Sequence, residues 1–130
     1  MILGIGTDLV RVARMQRLWD RYGERFAARI LHPVERADLP AEHPAGFFAR
    51  RFAAKEALAK ALGCGVGADM GLAEAGVAHD PRGRPEFVLE GRVLATATRL
   101  GVTAIHLSIS DEREYAQAFV VLEGRPPGRN

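Results

Sequence analysis

The chain has 130 residues and a mass of 14.1 kDa, enough for one domain with its own core and too little for two. Apolar residues at 48% and charged residues at 26% exclude intrinsic disorder, and the one cysteine, Cys64, excludes an internal disulfide. The net charge of +2 conceals a basic stretch over residues 11–36, with seven arginines against three acids, which suits nucleic acid, phosphate ligands or an acidic protein partner alike.

The opening MILGIGTDLV has no basic leader, and Asp8 interrupts its short apolar run, so no signal peptide is expected. Ile2–Val10 reads as a strand with Gly4 and Gly6 inside it. From Arg11 to Tyr22 the period becomes helical, with Val12, Met15, Leu18, Trp19 and Tyr22 in one stripe. Arg11, Arg14, Arg17 and Arg21 line the adjoining face. Gly23 interrupts, Glu24–Leu31 forms a second helical piece, and Pro33 opens a short helix through Asp38. After the Pro40–Pro44 loop, residues 45–62 make a long helix with Phe48, Phe52, Leu58 and Leu62 on one side and Gly63 as its stop. Gly63–Gly67 is a glycine-rich loop.

Gly71–His79 and Pro85–Glu90 read as two strands about the turn at 80–84, and Gly91–Leu100 as a helix. Thr103–Ser110 and Tyr115–Leu122 form a final hairpin, and residues 124–130 a flexible tail after a single domain over 1–123. This order of helices and hairpins predicts an α+β fold. No apolar run nears the ~20 residues of a membrane span, so a soluble, cytoplasmic protein without a membrane partner is expected.

Three features bear chemistry. Glu56 and Lys60 are four apart and share a helix face, an arrangement that serves equally as an exposed ion pair. They stand just before the Gly63–Gly67 loop, whose backbone amides can approach phosphate, although no P-loop pattern is present. Asp8 ends an apolar strand, where a carboxylate needs a partner. His106 alternates with Ile105 and Leu107 and so faces away from the apolar side of its strand, with Ser108 and Ser110. Lys55 and Lys60 are the only lysines among 18 cations. With 7% aromatics and no DNA-reading motif, nucleic acid is not the expected partner.

The segments GIGTDLV (4–10), RFAARIL (25–31), RFAAKEALAKALG (51–63) and HLSIS (106–110) follow one another in that order. Together they resemble holo-[acyl-carrier-protein] synthase, the small trimeric type of 4'-phosphopantetheinyl transferase, over about Ile2–Glu123. The resemblance implies a curved, mostly antiparallel sheet packed on a long central helix. It implies Asp8 and Glu56 as magnesium ligands, with coenzyme A as co-substrate and an acidic acyl carrier protein as acceptor. Lys60 and His106 would then lie by the pyrophosphate, with Glu56, Lys60 and His106 as the catalytic set. Arg51 would approach the 3'-phosphate, and Gly63, Gly65 and Gly67 would border the nucleotide. A water, Asp8 or Glu56 would take the acceptor serine's proton, with water favoured because ligation to a cation weakens a carboxylate base.

The resemblance implies docking of the carrier protein on the first helix, with Arg14, Arg21 and Arg25 as the candidates for charge contacts and Met15 or Phe26 for apolar contact. The resemblance also implies a homotrimer with sites at subunit interfaces. Two other readings remain: a non-catalytic module that binds acidic proteins through its basic first helix, and an enzyme acting on other CoA-like pyrophosphates without a protein acceptor.

Overall fold

The computed structural model describes residues 1–128, so the last two residues of the expected tail lie outside the described residues. Ile2–Arg11 forms β1, followed by helices α1 (Val12–Tyr22), α2 (Glu24–Ile30), α3 (Pro33–Arg36) and α4 (Ala45–Leu62). Strands β2 (Ala75–His79) and β3 (Pro85–Leu89), helix α5 (Gly91–Arg99) and strands β4 (Val102–Asp111) and β5 (Tyr115–Gly124) complete the chain.

The strands divide between two antiparallel sheets. One has the order β1-β5-β4, and the other is the β2-β3 hairpin. The α+β architecture and the central helix are as expected. Three boundaries shift by more than one residue. The strand expected from Gly71 starts at Ala75, because Leu72–Glu74 coil into a 3-10 turn closed by the Glu74 carboxylate on the Gly71 N–H. Helix α3 stops at Arg36 rather than Asp38. At the far end β5 runs to Gly124 rather than Leu122, and the Arg125 N–H still donates to the Gly101 carbonyl at 3.0 Å.

Helix α4 organises the core. It is rich in alanine, a strong helix former, and Gly63 ends it in the left-handed region at φ 70°, donating to Ala59 and Lys60. Buried residues occur around its whole circumference rather than along one stripe. On one side Phe48 meets Trp19 at 5.4 Å, Phe26 at 4.8 Å and Phe47 at 5.8 Å between ring centroids, which ties α1 and α2 to it. On another it lies across the three-stranded sheet, over Ala118, Val120 and Leu122 of β5. Among the described residues no helix is long and apolar enough to cross a membrane.

Candidate active site

The approach of β1 to α4 builds the site. A side chain at Gly4 would collide with the Ala61 carbonyl oxygen, and one at Gly6 with that of Ala57, so strand backbone rests directly on helix backbone. Strand side chains alternate, so Asp8 is the next one on that face after Gly4 and Gly6. Two glycines therefore hold the strand close enough for a third residue to reach the helix. The Lys60 ammonium donates to Asp8 Oδ1 at 3.0 Å and to the Thr7 carbonyl at 3.0 Å.

Glu56 lies one turn before Lys60 on the same helix face. The pair is not the i,i+4 salt bridge that spacing permits, because Lys60 turns to β1 instead. Burial, and after it the charge of Asp8, push the Glu56 carboxyl above its ordinary range, while Arg14 and Lys60 pull it down. The carboxylates of Asp8 and Glu56 thus repel one another across the β1–α4 contact. A divalent cation would relieve that repulsion. Two carboxylates with room for water suit magnesium, which keeps several waters and takes one or two protein carboxylates beside substrate phosphates. The donor set fits that ion.

The other expected site residues do not all gather here. His106 pairs with Val121 in the β4–β5 register, and Val121 with Ile5, which places His106 on the sheet face opposite α4. There its imidazole contacts the Glu123 carboxylate. Gly63, Gly65 and Gly67 continue from α4 and sit within a turn or two of Lys60 along the chain. Cys64 lies in that loop, but burial and the charge of Asp69 push its thiol up and away from thiolate character.

Residues 4–120 match the 4'-phosphopantetheinyl transferase superfamily. The holo-[acyl-carrier-protein] synthase of Alkalilimnicola ehrlichii is 54% identical over 125 residues, covering 95% of this chain and 98% of that one. This chain belongs to the 4'-phosphopantetheinyl transferase superfamily and, within it, to the holo-[acyl-carrier-protein] synthase family. Among solved structures, the synthase from Neisseria meningitidis superposes with a TM-score of 0.87 at 43% identity, over 95% of this chain and 99% of that one. The synthase from Bacillus anthracis, solved in complex with CoA (3',5'-ADP), gives 0.78 at 36% identity, over 96% and 99%.

Within this family member, two expected roles require correction. Arg51 is buried. Its guanidinium lies 4.7 Å from the Phe47 ring, donates to the Val77 carbonyl at 3.1 Å, and has Nε 3.7 Å from Glu35. It is a strut between α4 and β2 and does not present itself to a phosphate. Met15 has no exposed surface, so it packs the core and offers no apolar contact to a docked protein. Phe26 is nearly buried but lines a groove of about 490 Å³ with Leu18, Tyr22, Ile30 and Phe52. Arg14, Arg21 and Arg25 are exposed around that groove. Arg14 lies 5.1 Å over Phe52, and Arg21 and Arg25 flank Tyr22 at 5.3 and 5.8 Å.

Lys55 points inward as well. It is fully buried, with its ammonium 2.6 Å from Glu35 Oε1 and also on the Ile30 carbonyl. Burial lowers its pKa, and Glu35 opposes that shift. Glu35, equally buried, was not singled out from the sequence. Its signal was indirect: a helix with apolar residues on every side obliges any lysine on it to find a buried acid.

Proposed function

We propose that this chain transfers the 4'-phosphopantetheine group of coenzyme A to a serine of an apo acyl carrier protein in a magnesium-dependent reaction, releasing 3',5'-ADP. The observation that carries this reading is the Asp8–Glu56–Lys60 cluster: Lys60 bonds Asp8 across the β1–α4 contact, and Glu56 stands one turn before Lys60 on the same helix face. Asp8 and Glu56 would hold the ion. When bound, magnesium supplies neutralising charge for the coenzyme's pyrophosphate and the leaving group.

The chain's own residues do the rest. Lys60 carries a cation on the rim, 56% exposed at its side chain, from which it can exchange Asp8 for a phosphate oxygen. The acceptor serine oxygen bonds to the β-phosphorus, and the bond from that phosphorus to the oxygen of the departing 3',5'-ADP breaks. The serine proton leaves to water. Gly65 and Val66 support binding of the nucleotide end: among the described residues their N–H groups donate to no protein acceptor.

The open face of the three-stranded sheet supports a homotrimer. Ile5, Leu9 and Phe119 are 61%, 63% and 45% exposed there, beside His106. Burying that face against a second copy would bring His106 to a neighbour's site, which one chain alone does not do. Arg14, Arg21 and Arg25, around their apolar groove, suit an acidic carrier protein, with Phe26 rather than Met15 contributing apolar surface. The test is intact-mass spectrometry of an apo acyl carrier protein incubated with the chain, coenzyme A and magnesium, beside an EDTA control. A metal-dependent gain of one phosphopantetheinyl group is expected, and no gain with any of several apo carriers would overturn the reading.

A further inference from the structure

The segment after α4 contains Gly63, Gly65, Gly67 and Gly71 and, left to itself, has wide conformational freedom. The structure holds it at three backbone points from α5 and the 3-10 turn. Glu74 Oε1 accepts from the Gly71 N–H at 2.6 Å. Glu74 Oε2 accepts from Arg92 twice, from its backbone N–H at 3.0 Å and from Nε at 3.3 Å. The Arg92 guanidinium in turn donates through Nη1 to the Gly67 carbonyl, and Thr96 Oγ1 donates to the Asp69 carbonyl at 3.0 Å. Inside the loop, Gly67 N–H closes on Met70 O at 2.7 Å, and the buried Met70 side chain anchors the segment in the core.

An isolated, half-exposed ion pair would mean little. Here each partner spends its bonds on loop backbone as well as on the other. Glu74 and Arg92 also line a cleft of about 470 Å³ with Val66, Gly67 and Gly71, so the clasp and the loop share one concave surface. The loop leaves α4 three residues after Lys60.

We propose that Glu74 and Arg92 are positioning residues, a clasp that presets the Gly63–Gly71 loop for the nucleotide end of coenzyme A. The proposal rests on the transfer reading above. Without the clasp the loop must be ordered by the ligand, a cost that falls on binding rather than on the chemical step. The clasp therefore governs KM for coenzyme A and leaves kcat and the KM for carrier protein alone.

Steady-state rates of Arg92→Met, Glu74→Gln and the double variant test this, with coenzyme A and apo carrier varied in turn. Calorimetric titration with 3',5'-ADP and thermal midpoints accompany them. Each single variant is expected to raise KM for coenzyme A about tenfold, or ~1.4 kcal/mol. The expected kcat stays within about twofold, and 3',5'-ADP binding weakens by the same factor as KM rises. The double variant is expected to be no worse than the poorer single one, as for two parts of one device. Variants that lose thermal stability while keeping the wild-type KM for coenzyme A would overturn the clasp and leave a purely structural pair. A fall in kcat at unchanged KM would overturn it too. Wild-type protein that transfers nothing would overturn the reading beneath it, and the clasp with it.

Discussion

Asp8 and His106 occupy opposite faces of one three-stranded sheet: Asp8 reaches α4 and Lys60, while His106 points away with Glu123. A side chain cannot pass through a hydrogen-bonded sheet, so a single copy does not unite them. If both serve one site, that site draws on two copies, and the exposed apolar face around Ile5, Leu9 and Phe119 is where they meet.

The Glu56 carboxyl is maintained at a cost, because burial and Asp8 both disfavour its charge. Glu56→Gln is expected to raise the thermal midpoint of the metal-free protein at neutral pH while reducing transfer by at least about a hundredfold, a loss of several kcal/mol of transition-state stabilisation. Differential scanning fluorimetry in EDTA, set beside transfer rates in magnesium, checks both halves. A variant that is less stable than wild type would contradict the repulsion.

The buried Lys55–Glu35 pair gives a different pattern. Lys55→Ala leaves Glu35 with only the more distant Arg51, and Glu35→Ala takes the acid from both cations; each is expected to cost about 3–5 kcal/mol in urea unfolding. Lys55→Met combined with Glu35→Leu removes both groups and is expected to cost well under the sum of the singles. Additive losses would show that the two do not act as a pair.

Glu74 predicts a pH dependence. Burial works to raise its pKa, but the bonds from the Gly71 N–H and from Arg92 outweigh this, and the carboxyl lies below its ordinary range. A lowered native pKa contributes stability above the unfolded value, roughly pH 4.3, that is lost as pH falls through the native one. Glu74→Gln is therefore expected to melt below wild type at neutral pH. Thermal midpoints taken down to about pH 2 should show the gap closing only below the ordinary carboxylate range. A gap that closes well above pH 4.3 would contradict the assignment.

Much of this was legible in the sequence because its punctuation is physical. Gly23, Pro33, Gly63 and the 80–84 turn mark element ends that hydrophobic period then fills. The shared face of Glu56 and Lys60 was legible from their i,i+4 spacing and the need of Asp8 for a partner from its apolar strand, but only the resemblance joined the two. What was missed depends on contacts between distant segments. Glu74 closes a turn and anchors Arg92, so Leu72–Glu74 leaves the strand that its composition suggested. Arg51 and Lys55 belong to a helix whose buried residues are spread about its axis rather than along one stripe, so no helical period reveals their surroundings. Met15 is the instructive error. It stands in the apolar stripe that spacing alone predicts as buried, and its docking role came only from the resemblance.

The central claim, a phosphopantetheinyl transfer site shared between copies, is tested most directly by mixing two defective chains. Asp8→Ala and His106→Ala, each purified alone, are expected to leave an apo carrier protein almost unmodified in the intact-mass assay. Coexpressed in equal amounts, they are expected to restore about a quarter of the wild-type sites, because random assembly places an intact Asp8 beside a neighbour's intact His106 that often. A mixture no more active than either variant, or a single variant with the wild-type rate, would contradict the account.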